Sequence, residues 1–189
     1  MTRSTRLIVG GLVLVLLVVA WFLFRSRSAD NVAIDLVAQF ATAKDKRPNP
    51  DVFEVVDASL AGERMKAIYA KQPSRIVYSL TVPQDAWLKV SLGLKEEAWT
   101  MQGDGVLFLI GASVGQNWSE LFSLVVNPFG NPSDKGWKEI TVDLSPYAGQ
   151  TMDLVFNTYS SPGPSPGQPP KDDRNGDMAL WGNPRVVVR

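Results

Sequence analysis

Three tryptophans stand where the sequence predicts loops or strand ends, and these side chains are the best suited to bind a ligand. Trp99, Trp118 and Trp181 are the three, and polar residues such as Gln102 and Asn117 lie near them. A flat indole ring beside hydrogen-bonding groups is an arrangement on which a sugar ring can stack. Because tryptophan also commonly fills the ends of a hydrophobic core, a purely structural role is the alternative interpretation.

A second candidate site is acidic. Asp173, Asn175 and Asp177 alternate as D-x-N-x-D and present hard oxygen ligands of the kind that Ca²⁺ accepts. A complete calcium loop would have Gly after Asp177 and Glu at its twelfth position, where this sequence has Met178 and Pro184. Calcium is therefore the one cofactor that the sequence suggests, and an ordinary acidic turn before a strand is the alternative.

The composition removes most catalytic chemistry. The 189 residues include no Cys and no His, which excludes disulfides, thiolate nucleophiles, cysteine zinc sites, the Ser-His-Asp triad and imidazole ligands for haem. Glu96 and Glu97 are the only adjacent glutamates, but neighbours in sequence do not face each other across a sugar ring as glycosidase carboxylates must. We therefore predict a protein without catalytic residues.

The charges are balanced overall but unevenly distributed. Residues 1–50 carry seven Lys/Arg and three Asp/Glu, whereas residues 51–189 carry 12 and 16. A mildly acidic body without a basic cluster lacks the surface that a phosphate backbone requires, so nucleic acid is not an expected partner. The basic N-terminal part suits a membrane surface instead.

The body that would position these candidate residues, residues 51–189, reads as short β-strands separated by turns. Apolar and polar residues alternate in stretches such as 76–82 and 88–94, while 106–114 is almost entirely apolar. Some nine or ten strands at this spacing predict an all-β fold, an antiparallel jelly-roll-like β-sandwich.

Three stretches of this body occur in a recognisable order. They are Gly-Asp-Gly-Val at 103–106, Asp-Leu-Ser-Pro-Tyr-Ala-Gly-Gln at 143–150, and Asp-Met-Ala-Leu-Trp-Gly-Asn-Pro-Arg at 177–185. Together they resemble bacterial galactose-binding-like or carbohydrate-binding-module-like jelly rolls. The resemblance implies the fold, with functions that range from sugar binding to adhesion and structural support. We expect the motif residues themselves to shape turns and core, with Gly149 at a positive φ.

Ahead of the body, residues 7–24 form an apolar run without a charged side chain, flanked by arginines at both ends. As a helix the run would span roughly 27 Å, close to the hydrocarbon thickness of a bilayer, so we predict a single transmembrane helix after a tail at 1–6. A cleaved signal peptide is the alternative. Gly10 and Gly11 offer a flat surface for a neighbouring helix.

Residues 25–50 are predicted to hold an amphipathic stalk helix and a proline linker. Ala33, Leu36, Val37, Phe40 and Ala41 recur at helical spacing, and prolines follow at 48 and 50. An isolated helix of this length is marginal in water, so its apolar face of Leu36, Val37 and Phe40 is expected to dock on a partner or on the bilayer.

The segment 160–170 contains five prolines and is predicted to be an exposed loop within the body. It is either a flexible insertion between two strands or a preordered arm that lies along a partner. The sequence favours neither interpretation.

Two functions remain compatible with these features. The first is a non-catalytic accessory subunit whose helices and β-sandwich dock on a larger integral membrane complex, for example a respiratory or photosynthetic assembly. The second is a membrane-tethered carbohydrate-binding module for envelope glycans. In either case we expect a single-pass protein of the bacterial inner membrane, in contact with the lipid bilayer, with its C-terminal domain on the periplasmic side. The sequence analysis favours the accessory subunit.

Overall fold

The computed structural model describes residues 30–71, 73–161 and 174–189. Within these residues the chain forms eleven β-strands, five short 3-10 helices and no α-helix. The strands are β1 Asn31–Asp35, β2 Asp45–Arg47, β3 Phe53–Leu60, β4 Glu63–Ala70, β5 Ser74–Thr81, β6 Ala86–Leu94, β7 Val106–Val114, β8 Asn117–Val126, β9 Lys138–Asp143, β10 Thr151–Ser160 and β11 Ala179–Val188. The 3-10 helices are Phe40–Thr42, Pro50–Val52, Glu96–Thr100, Pro132–Asp134 and Ser145–Tyr147.

The strands form two sheets. One has the order β3-β4-β11-β6-β9, with β1 also paired to β11, and the other has the order β2-β5-β10-β7-β8. Neighbouring strands along both orders run antiparallel. The predicted antiparallel β-sandwich is therefore confirmed.

The main hydrophobic core lies between the two sheets. Strand β10 illustrates how the sequence builds it, because Met152, Leu154 and Phe156 alternate along the strand and all three are buried in the core. Two aromatic side chains of the five-stranded sheet contact one from the six-stranded sheet edge to face. Trp181 of β11 lies 4.9 Å from Phe108 and 5.0 Å from Phe156, measured between ring centroids. Such pairs add about 0.5–1.5 kcal/mol beyond their buried area, so this cluster ties the sheets together.

A second hydrophobic cluster lies on the outer face of the six-stranded sheet. Its buried members are Leu60, Ala67, Tyr69 and Leu180, and the half-buried rings of Trp99 and Trp137 pack against it. Leu180 points away from the main core because its neighbours in the strand, Ala179 and Trp181, both point into that core. This face of the six-stranded sheet is therefore covered by side chains of the chain itself.

The motif at 143–150 shapes the corner between β9 and β10. The Asp143 carboxylate accepts a hydrogen bond of 2.8 Å from the Ser145 amide, and Ser145 keeps the pKa of this carboxyl below its usual value. Gly149 has a φ of +75°, a conformation that other residues resist, and its amide donates to the Val82 carbonyl at 2.8 Å. The structural interpretation of this turn is confirmed.

The prediction of an amphipathic helix within residues 25–50 is wrong for residues 30–50, the part that the structure describes. Residues 31–35 form β1, a turn follows, and the only helical piece is the 3-10 turn Phe40–Thr42. The Asp35 carboxylate accepts hydrogen bonds from the amides of Val37 and Ala38, an interaction that competes with helix formation.

Three apolar residues of this segment pack into or against the core of their own domain. Leu36 and Val37 are buried there, and Phe40 packs against the same core. The Leu36 amide donates to the Pro184 carbonyl at 3.1 Å, and its carbonyl accepts from the Tyr78 hydroxyl at 3.0 Å. The predicted partner-docking face of Leu36, Val37 and Phe40 is therefore internal.

Several predicted features lie outside the described residues. They are the transmembrane helix at 7–24 with Gly10 and Gly11, and most of the proline-rich loop at 160–170. Among the residues that the structure describes, no helix is long and apolar enough to cross a membrane. Val32–Arg189 form one compact unit, and this unit is the β-sandwich.

Candidate functional site

The structure separates the three candidate tryptophans. Trp181 is only 1% exposed and lies at the centre of the main core. Its two edge-to-face contacts with Phe108 and Phe156 enclose the ring, which leaves no face on which a sugar could stack. The suggestion that Trp181 binds a ligand is thus corrected, since the residue is structural.

Trp99 also has a structural environment. It lies in the 3-10 helix Glu96–Thr100, and its indole nitrogen donates a hydrogen bond of 3.0 Å to the Leu94 carbonyl. Its half-buried ring packs on the cluster that contains Tyr69 and Leu180. Both the polar edge and the apolar face of this side chain therefore already have partners within the chain.

Trp118 differs from the other two because 47% of it is exposed. It lies on β8, the last strand in the order of the five-stranded sheet, and pairs with Ser113 of β7. Its six-membered ring fills the space next to Gly111, where the Cβ of any other residue would collide with the ring atoms Cζ2 and Cη2. A glycine inside a strand thus lets the indole lie close to the sheet.

Arg75 approaches the same ring from a more distant strand of the same sheet. It is on β5, which is separated from β8 by β10 and β7, so three strand spacings of about 14 Å in total divide the two backbones. The Arg75 guanidinium carbon nevertheless lies 5.8 Å from the Trp118 ring centroid. The two long side chains therefore reach towards each other across β10 and β7.

Between them lie two buried residues of β10 that do not face the main core. Val155 is fully buried and Asn157 is 2% exposed, although the alternation along β10 directs both side chains to the outer face. The Asn157 Oδ1 atom and the Arg75 Nε atom are both buried without a hydrogen-bond partner. We call the surface formed by Arg75, Gly111, Trp118, Val155 and Asn157 the Trp118 face.

Most other charges near the Trp118 face are already paired. Lys44 contacts Asp153 at 2.6 Å, and the Arg47 side chain contacts Asp45, also at 2.6 Å. The Glu120 carboxylate accepts a hydrogen bond of 2.6 Å from the Ser123 hydroxyl. Arg75 has no such carboxylate partner among the described residues, and its recorded contact is with the Trp118 ring.

A groove of about 500 Å³ lies elsewhere, beside the edge strand β3. Asp57 of β3 lines it together with Lys95, Glu96 and Glu97. The Glu96 carboxylate accepts a hydrogen bond of 2.8 Å from the Ala61 amide. The Lys95 ammonium lies over the neighbouring Tyr69 ring at 3.7 Å from its centroid, so this groove offers polar groups but no open aromatic surface.

Burial affects the ionisation of Tyr69 close to this groove. The pKa of its hydroxyl is raised above the usual value because the side chain is desolvated, and because the carboxylates of Glu97 and Glu54 disfavour a further negative charge. Tyr69 is therefore a neutral hydrogen-bonding group at physiological pH.

The calcium prediction is tested only in small part by the structure. Asp173 lies outside the described residues. The Asn175 side-chain amide donates to the Gln102 carbonyl, and the buried Asp177 carboxylate accepts a hydrogen bond of 2.8 Å from the Ser160 hydroxyl. Across the described ranges, no three His, Cys, Asp or Glu side chains cluster as a metal site. Bound calcium stays a prediction.

The sequence analysis identified only Trp118 among the five residues of the Trp118 face, and two of the four that it missed carry a signal in the sequence. Gly111 stands inside an apolar strand, and an interior glycine is a recognised sign that another group approaches the backbone closely. Arg75 alternates with the apolar residues of its strand, which indicates an outward-facing side chain but not what it contacts. Only the strand order β5-β10-β7-β8 brings Arg75 close to the Trp118 ring that lies beside Gly111.

Sequence comparison identifies a relative of part of this chain. No family model matches the chain. An uncharacterised protein of Archaeoglobus fulgidus is 36% identical over 116 residues, which make up 60% of this chain. The aligned region spans only 27% of that relative.

Solved structures with a similar fold include carbohydrate-binding modules. The M60 catalytic domain of Clostridium perfringens ZmpB with its CBM51-1 and CBM51-2 domains matches with a TM-score of 0.52 and 13% identity, over 77% of this chain and 14% of that one. TmCBM61, solved with β-1,4-galactotriose, matches with a TM-score of 0.50 and 10% identity, over 83% and 100%. The domain therefore shares the β-sandwich fold of these modules, as the motif resemblance implied.

Proposed function

We propose that the β-sandwich is a non-catalytic carbohydrate-binding module and that the Trp118 face is its sugar-binding surface. The observation that carries this proposal is the half-exposed Trp118 ring, which lies close to the sheet with the half-buried Arg75 guanidinium 5.8 Å from its centroid. Sugars bind proteins by stacking an apolar ring face on an aromatic side chain while polar groups bind their hydroxyls. The Trp118 face supplies both components.

The fold similarity supports the same function. One similar structure contains two CBM51 domains, and another, TmCBM61, was solved with β-1,4-galactotriose. The accessory-subunit hypothesis rested in part on an apolar helix face of Leu36, Val37 and Phe40, and these three side chains lie in or pack against the core of the sandwich. A membrane tether at 7–24 would hold the proposed module close to a cell-envelope surface.

The proposal is tested by glycan binding of the full-length chain in mild detergent, first on a broad glycan array and then by calorimetry on the glycans that bind. Trp118→Ala is expected to weaken binding about tenfold, because loss of a stacked ring removes on the order of 1.5 kcal/mol. Gly111→Ala should weaken binding similarly, since the new methyl group displaces the ring while the strand stays intact.

Phe129→Ala is the matched control. Phe129 is equally exposed, at 47%, but it lies beyond the opposite end of β8. Its loss should leave glycan affinity unchanged. Wild-type affinity in Trp118→Ala would show that sugar binds elsewhere on the domain, and a full-length chain that binds no glycan would refute the proposed function.

A further inference from the structure

The Trp118 face carries an arginine whose charge is not neutralised within the described part of the chain. On this basis we infer that the face selects an acidic sugar, one that bears a carboxylate or a sulfate group, over the neutral sugar of the same backbone. This inference rests on the proposed function, because it names the class of sugar bound at that surface. Arg75 provides the selectivity and Trp118 provides the stacking surface.

The state of Arg75 is the first part of the argument. The side chain is half-buried, and its Nε atom is fully buried without a hydrogen-bond partner. An ionised group that is partly removed from water is normally paired, because desolvation of a charge is costly. The aromatic ring 5.8 Å away compensates part of this cost through a cation–π interaction, but it does not occupy the donors of the guanidinium.

The surrounding charges are the second part. Asp45 and Asp153 are the acidic residues nearest in the sheet, and each already contacts a cation, Arg47 and Lys44 respectively. Among the described residues, Glu120 of β8 is a third acid on this face; its carboxylate accepts a hydrogen bond of 2.6 Å from the Ser123 hydroxyl and forms no ion pair with Arg75.

The geometry of an acidic sugar fits the Trp118 ring and the Arg75 guanidinium. In a hexuronic acid the carboxylate is attached directly to the sugar ring, so a ring stacked on Trp118 places the anion within reach of a guanidinium 5.8 Å from the indole centroid. Arginine binds carboxylate and sulfate through two parallel hydrogen bonds, which favours it over a lysine for this purpose.

The test uses pairs of probes that differ only in the anionic group. One arm compares oligogalacturonates and oligoglucuronates with their carboxyl-reduced forms. The other arm compares neutral galactose oligomers with their sulfated forms. Calorimetry on the full-length chain should give at least about tenfold tighter binding for the acidic member of a pair, and this preference should shrink as salt is raised. The arm with the larger preference identifies the anion as carboxylate or sulfate.

Variants assign the preference to a residue. Arg75→Gln should abolish the preference, so that the acidic and neutral members of a pair bind with equal affinity, and Arg75→Lys should retain only part of it. Arg64→Gln removes the same charge from an exposed position on β4, in the other sheet, and should leave the preference intact. Circular dichroism checks that each variant is folded.

The outcomes separate the two proposals. Equal affinity for the acidic and neutral members of every pair would overturn the selectivity but leave the carbohydrate-binding function standing. A preference that persists in folded Arg75→Gln would also overturn it, because another group would then read the anion. Failure of the wild-type chain to bind any probe, together with a negative glycan array, would refute the proposed function itself.

Discussion

At the residue scale, the Trp118 face depends on the missing side chain of Gly111 and on the contact between Arg75 and Trp118. Gly111 has no Cβ, so the Trp118 ring can lie next to the sheet instead of projecting into solvent. The Arg75 guanidinium carbon then lies 5.8 Å from the ring centroid, and Val155 of the intervening strand β10 is fully buried. A half-exposed tryptophan supported in this way has a defined orientation, which reduces the entropy lost when a ligand stacks on it.

Another single residue, Tyr78, anchors the start of the domain. Its hydroxyl donates to the Leu36 carbonyl at 3.0 Å in a buried setting. Desolvation raises the pKa of this phenol well above its usual value, and the nearby Asp35 carboxylate raises it further. The folded state thus keeps the proton at pH values where the unfolded chain releases it.

This shift predicts a loss of stability in alkaline solution. The contribution of Tyr78 is complete below about pH 10 and declines as pH rises above it, because there the unfolded state binds fewer protons than the folded state. Tyr78→Phe should unfold more easily at about pH 8, by about 1–3 kcal/mol, since the Leu36 carbonyl loses its buried donor. Its further decline towards about pH 11 should be shallower than that of the wild type. Urea titrations at several pH values measure both effects, and parallel declines would contradict the assignment.

At the element scale, residues 31–42 show how one spacing can serve two structures. Leu36, Val37 and Phe40 fit one face of a helix, but they fit equally a short strand followed by a turn that inserts its apolar residues between two sheets. Pairing of β1 with β11 and the hydrogen bonds accepted by Asp35 decide for the strand and turn. Both are properties of the folded neighbourhood.

The element therefore stabilises the domain instead of binding a partner, and this is measurable. Leu36→Ala should lower the free energy of unfolding by about 2–5 kcal/mol, because it opens a cavity at a fully buried position. Val32→Ala, in the same short segment but 48% exposed, should change it by less than about 0.5 kcal/mol. Chemical denaturation followed by circular dichroism compares the two. Equal effects would indicate that this segment is not part of the core.

At the scale of the whole molecule, the two sheets are joined by the aromatic cluster of Phe108, Phe156 and Trp181. These rings come from β7, β10 and β11, so they belong to both sheets and have neighbours far away in the sequence. Because each sheet buries its inner face only against the other, neither has a core of its own on that side. The sandwich should therefore unfold as a single unit.

Trp181→Ala tests this cooperativity. Removal of the ring should reduce the free energy of unfolding by about 3–5 kcal/mol, as expected for a large aromatic side chain in a packed core. The unfolding transition should remain single, with tryptophan fluorescence and far-ultraviolet circular dichroism changing together. Two separated transitions would show that the sheets unfold independently.

The sequence by itself determined the architecture of the body. Strict alternation in stretches such as 76–82 and 88–94 predicts strands with one buried face, and the turn residues at 143–150 predict a corner. These predictions succeeded because they depend on local periodicity and on backbone preferences, which each short stretch carries by itself. The exclusion of His and Cys chemistry likewise follows from composition alone.

The tertiary structure decided which of these residues are available to a ligand. Trp99, Trp118 and Trp181 look alike in sequence. Only strand order and register place Trp181 in the core, Trp99 on a covered face and Trp118 half in solvent. The same holds for Arg75, which meets Trp118 across two intervening strands. Burial and side-chain contact depend on residues distant in the chain, so no local pattern encodes them, and the site emerges only when the two sheets assemble.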